Sequence, residues 1–94
     1  MESYTSAVLA VRDVLGIYAP NPDLVADSLE LEQAVRAAAV TARENGMARD
    51  QLVADLDRIA TATIPHDRVG AAHSRHTMTK WAKDAFDHDR PEAR

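Results

Sequence analysis

In four stretches of this chain, apolar residues recur at alternating intervals of four and three, and prolines or an Asn-Gly pair divide each stretch from the next. The first stripe is Tyr4, Val8, Val11, Leu15 and Tyr18; the second is Leu24, Ser28, Leu31, Val35, Ala38 and Ala42. Leu52, Leu56, Ile59 and Thr63 form the third, and Ser74, Met78, Trp81 and Ala85 the fourth. Such spacing puts each set on one side of an α-helix, whereas a strand would need strict alternation. Eighteen alanines against three glycines lean the same way. The pattern predicts helices over about 3–18, 22–45, 48–62 and 66–88, with a frayed tail at 89–94. The fold class is all-α, a small four-helix bundle whose short loops make neighbours mostly antiparallel.

The boundaries follow from backbone chemistry. Proline cannot continue the helical hydrogen-bond ladder, so Pro20-Asn21-Pro22 stops the first helix. Asn21 is then the expected N-cap of the second, with Pro22 at its first position and Asp23 at the positive end of its dipole. Gly46 after Asn45 suits the left-handed residue that closes a helix, and Ile64-Pro65 breaks the third. The small residues Ala38, Ala39 and Ala42 admit a close helix neighbour, and Trp81 is the expected bulky residue opposite them.

Ninety-four residues suffice for one modest core, so residues 1–94 are expected to form a single domain. Without cysteine there is neither a disulfide nor thiolate chemistry. The longest apolar run, Ala7 to Val11, is far below the roughly 20 residues of a membrane span. No basic n-region precedes an apolar segment, and a cytoplasmic location is the expectation. Nor do a phosphate-cradling glycine loop, a paired acid and base, or a nucleophile context occur. The expectation is therefore a protein that is not an enzyme and needs no cofactor or metal.

Charge is unevenly distributed. The net charge is −4, yet residues 66–83 hold both lysines, the only tryptophan and three of the four histidines, with Arg68 and Arg75 against the single Asp67. On a continuous helix His66, His73 and His76 would share an arc of about 80°. Two imidazoles at that spacing fall short of the three or four ligands a metal needs. His73, His76, Lys80 and Lys83 instead form an exposed basic stripe opposite Met78, Trp81 and Ala85, suited to an acidic partner. Protonation below about pH 6.5 would add charge to it.

Residues 38–59 carry some of the spacing of a helix-turn-helix, with Ala42, Gly46 and Leu52 at suitable offsets. Asn45 and Asp55 stand where apolar residues are needed, and Asp50, Asp55 and Asp57 would face phosphates. Glu32-Gln33-Ala34 followed by this hairpin resembles the three-helix RNA-binding ANTAR modules of bacterial antiterminators. Those modules place lysine and glycine just after the alanine, where this chain has Val35 and Arg36, so the resemblance brings no function or site residue with it.

The first helix is apolar over about 180°, from Tyr4 through Ala10, Val14 and Ile17 to Tyr18, where one core needs about 100°. Deep burial between neighbours would absorb the excess. Otherwise Val14 and Ile17 belong to an interface, for example a homodimer through this helix. The sequence thus predicts a protein-binding domain, an adaptor or inhibitor, contacting its partner through His73, His76, Lys80, Lys83, Val14 and Ile17. The alternative is a dimeric nucleic-acid-binding regulator using the 38–59 hairpin or the basic fourth helix.

Overall fold

The computed structural model describes residues 3–89 and contains four α-helices: α1 (Tyr4–Tyr18), α2 (Leu29–Glu44), α3 (Arg49–Thr63) and α4 (Ala71–His88). A 3₁₀ segment, Pro22–Asp27, precedes α2. No strand occurs among the described residues, so the all-α bundle expected from the apolar periodicity is the fold.

All four helices contribute to one core, built from Val11 and Leu15 of α1, Leu31 and Val35 of α2, Leu52 and Leu56 of α3, and Met78 and Ala82 of α4. Ala38, Ala39 and Ala42 are fully buried on the α2 surface, which packs most extensively against α4 and α1. Each lacks a side chain beyond Cβ, and this is what lets a neighbouring backbone approach. The three buried polar residues are Ser28, Thr41 and Ser74, and no buried side-chain nitrogen or oxygen among the described residues lacks a hydrogen-bond partner. That balance matters because an unpaired buried polar atom costs about 1–3 kcal/mol.

Contacts between helices reveal their directions. Arg49 at the start of α3 pairs with Asp87 at the end of α4, so these two are antiparallel. Pro22, Arg36 and Arg43 meet Ser74, Asp84 and Phe86 in the same chain order. Hence α2 and α4 run side by side in one direction. The connections 19–28 and 64–70 consequently lie together at one end of the bundle, and the 45–48 turn at the other.

The second helix is shorter than the apolar stripe predicts. Ser28 takes an extended conformation and its Oγ accepts the Leu31 amide at 3.1 Å, so α2 starts at Leu29 and Pro22–Asp27 forms a separate 3₁₀ turn. Serine satisfies a terminal amide in this position better than it continues a helix. Asn21 makes no side-chain cap. The change of geometry also exposes Leu24 and buries Val25, which the stripe omits.

The fourth helix starts at Ala71, five residues later than expected. Gly70 lies at φ 88° in left-handed space, where only glycine is unstrained. A Cβ there would also collide with the Asp23 carboxylate. Ser74 Oγ stands 2.7 Å from Pro22 O and 2.8 Å from Gly70 O, sharing its one proton between the two carbonyls and tying the 3₁₀ segment to α4.

The α2–α3 turn matches expectation. Gly46 N–H donates to Arg43 O and Met47 N–H to Ala42 O, each at 3.0 Å, with Gly46 at φ 75°. This is the paired-bond closure that an Asn-Gly after a helix predicts. After α3 the core residue is Ile64, which ends the helix in an extended conformation and is fully buried; the expected Thr63 is only half-buried.

Candidate functional site

Helix α4 buries Ala71, Ser74, Met78, Ala82 and Ala85, leaving its opposite side to solvent. His73, His76, Lys80 and Lys83 are all exposed on that side, so the structure brings the four basic residues together. His66 departs from them. It lies in the 64–70 connection, where Arg75 donates to its Nδ1 at 3.1 Å, so the helical arc shared by three histidines does not form.

Trp81 is also displaced from its expected place. It packs against the core only partly, because Ala82 occupies the buried position, and the rest of its ring lies beside the basic residues. Trp81 lines an open depression of about 980 Å³ here together with His73, His76, Lys80, Lys83 and the acidic Asp84 and Asp87.

Electrostatically, this surface has two parts. Toward the C-terminal end the charges are internally paired: Arg36 Nε donates to Glu32 at 2.9 Å and its Nη1 reaches Asp84 at 2.9 Å and Asp89 at 3.2 Å. The hydrogen bond that Arg36 donates to Glu32, with those to Asp84 and Asp89, pushes the Arg36 pKa up against the opposing effect of burial. Arg49 reaches Asp87 at 2.7 Å. Arg43 donates to Phe86 O at 2.8 Å and also to Asp89 O, satisfying carbonyls that a helix end leaves unpaired. Nearer the middle of α4, Lys80 and Lys83 have no ion-pair partner among the described residues. Three residues apart, they project from adjacent turns and can bridge neighbouring carboxylates on another chain.

No cluster of three or more His, Asp or Glu side chains among the described residues is arranged to hold a metal ion. No described helix is long and apolar enough to cross a membrane.

The first-helix residues separate. Val14 is half-buried against the core, whereas Ile17 is 68% exposed, and Leu9 and Ala10 are exposed as well. Deep burial therefore does not absorb the broad apolar arc. Tyr4, at the other end of α1, is fixed to α3 through a 2.8 Å bond from its hydroxyl to Asp55. Burial first, then that hydrogen bond and the Asp55 charge, push the Tyr4 pKa up, with Arg58 opposing.

The helix-turn-helix reading gains no basic surface. Asp50 and Asp57 are exposed on α3, and Asp55 is held by Tyr4, Gln51 and Arg58. Sequence reasoning missed four exposed apolar residues, Leu9, Leu24, Leu29 and Val69. A signal existed for Val69, which stands alone between Pro65 and Gly70 in a stretch too short to bury it. No family model, curated protein or solved structure matches the chain.

Proposed function

We propose that this chain is a non-enzymatic protein-binding domain, an adaptor or an inhibitor, whose α4 outer face takes a carboxylate-rich segment of another protein. The observation that carries this reading is the pair of exposed lysines, Lys80 and Lys83, which make no ion pair among the described residues and stand beside the half-exposed Trp81. Paired charges such as Arg36 would have to break existing bonds to serve a partner. Among the described residues the lysines have none to break, and an adjacent indole adds apolar contact area of the kind that concentrates binding energy. His73 and His76 continue the exposed stripe toward the N-terminal end of α4.

An acidic protein segment fits this face better than nucleic acid does. Asp84 and Asp87 border the same depression, and a phosphate backbone passing over Lys80 and Lys83 would meet them. A partner peptide can place its carboxylates locally and avoid them.

Trp81 is the only tryptophan, so its emission reports directly on the site. Titrating the chain with a Glu/Leu-rich peptide should shift that emission saturably at low salt. Lys80→Glu with Lys83→Glu should weaken binding at least tenfold, on the order of 1.4 kcal/mol. An unchanged affinity in the double variant, or stronger binding of duplex DNA or RNA than of the acidic peptide, would overturn the reading.

A further inference from the structure

Single exposed apolar residues are ordinary on a protein surface, but their concentration in one place is not. Of the five large apolar side chains exposed among the described residues, four belong to one end of the bundle: Ile17 at 68%, Leu24 at 50%, Leu29 at 65% and Val69 at 82%. Ile17 lies in the last turn of α1, Leu24 in the 3₁₀ segment, Leu29 at the start of α2 and Val69 just before α4. The Ser74–Pro22 bond and the approach of Asp23 to Gly70 hold these segments together. The two connections also line a depression of about 570 Å³, through Asn21, Asp23, Pro65, Asp67, Arg68 and Val69; of the four apolar residues, Val69 lines it.

This end is built to keep its shape. Pro20, Pro22 and Pro65 restrict its backbone, Gly70 occupies a conformation that other residues resist, and Ser74 fixes one connection to the other. An apolar surface on a preorganised scaffold requires less ordering when a partner docks.

Its charge selects the partner. The exposed carboxylates Asp23, Asp27, Glu30 and Asp67 lie in the same segments as the apolar residues. The guanidiniums near them are Arg68, which lines the depression, and Arg75, which donates to His66. Carboxylates therefore outnumber guanidiniums four to two, and phosphate-bearing partners meet a repulsive rim. From the apolar cluster and its acidic border we infer that this end of the bundle docks a basic amphipathic segment of another protein. Apolar side chains of that segment cover Ile17, Leu24 and Val69, and its lysines or arginines reach Asp23 and Asp67. This surface is distinct from the α4 basic face and does not depend on it. Together the two would let one small domain join an acidic partner to a basic one.

The test uses the full chain and a fluorescein-labelled Lys/Leu peptide with helical amphipathic spacing, followed by fluorescence anisotropy. Saturable binding is expected, weakened at least tenfold by Ile17→Ser with Val69→Ser. Asp23→Asn with Asp67→Asn should weaken it and flatten its salt dependence, while Asp50→Asn with Asp57→Asn on α3 should leave it unchanged. The Lys80→Glu, Lys83→Glu variant should bind at least as well as the parent chain, which separates failure here from failure of the α4 site. Circular dichroism melts establish that each variant is folded; the isosteric aspartate variants test the site even if the serine variants unfold. Equal weakening by the α3 pair, undiminished binding by folded serine variants, or equal binding of a Glu/Leu peptide at this end would overturn the inference. So would sedimentation showing that the chain self-associates through Ile17 and Val69, because a second copy would then be the occupant.

Discussion

Where α4 ends, Arg36, Arg43 and Arg49 reach across from α2 and α3 to its carboxylates and terminal carbonyls. Where α4 begins, Val69, Leu24 and Ile17 stand exposed among carboxylates, and Gly70 and Ser74 hold the backbone with few charged contacts. The comparison teaches that charge density alone does not distinguish a structural surface from one available for binding. Three arginines at one end already have intramolecular partners. The end whose carboxylates make no ion pair among the described residues, and Lys80 and Lys83 between the two, have surface left to offer.

Substitutions test this contrast, beginning with the core that both ends share. Leu56→Ala should lower stability by about 3 kcal/mol, because a fully enclosed leucine loses both transfer energy and packing. Chemical denaturation measures this; a loss under about 1 kcal/mol would mean that the core collapses readily around the gap. Next, Arg43→Gln should cost about 1–2 kcal/mol and increase amide exchange in the last turn of α4, since its carbonyls lose a charged donor. No change in exchange there would remove the structural role assigned to this end. Gly70→Ala at the other end should cost about 1 kcal/mol through backbone strain, with further loss if Asp23 must move.

Smaller effects are expected on the exposed faces. Lys80→Glu with Lys83→Glu should shift stability by less than about 0.5 kcal/mol while reducing acidic-peptide affinity. A large fall in melting temperature would place these lysines among the structural charges. Tyr4 gives a pH-dependent comparison. Its folded pKa is raised, so its stabilising contribution is complete below the ordinary tyrosine value of about 10 and is lost as pH rises above it. Tyr4→Phe should be slightly less stable than the parent at pH 8, and the difference should shrink by pH 11. A gap that widens with alkalinity would contradict that sign.

Several features were legible because local chemistry controls them. The Asn45-Gly46 closure takes its expected form, and the observed Glu32–Arg36 pair is equally local, since each joins residues about one turn apart. The start of α2 was also encoded locally, since Ser28 is followed by Glu30 and Glu32, the chemistry of a helix N-terminus. The apolar stripe continuing through Leu24 concealed it. Of the candidate site, the exposed stripe His73, His76, Lys80 and Lys83 follows directly from helical periodicity. Half-burial of Trp81 does not, because Ala82, less than a third of a turn away around the helix, takes the place against α2 and its neighbours.

Sequence alone dictates the helical state, the extents of α1 and α3, and the solvent side of α4 that carries His73, His76, Lys80 and Lys83. These depend on propensity and on a 3.6-residue repeat, both properties of neighbouring residues. Tertiary structure decided that α2 and α4 run in the same direction, that three arginines converge on one helix end, and that Ile17, Leu24, Leu29 and Val69 share the other. Those pairings join residues some 40–50 positions apart, and no local periodicity records which of the possible helix arrangements buries the alanine surface of α2 and the hydroxyl of Ser74 together.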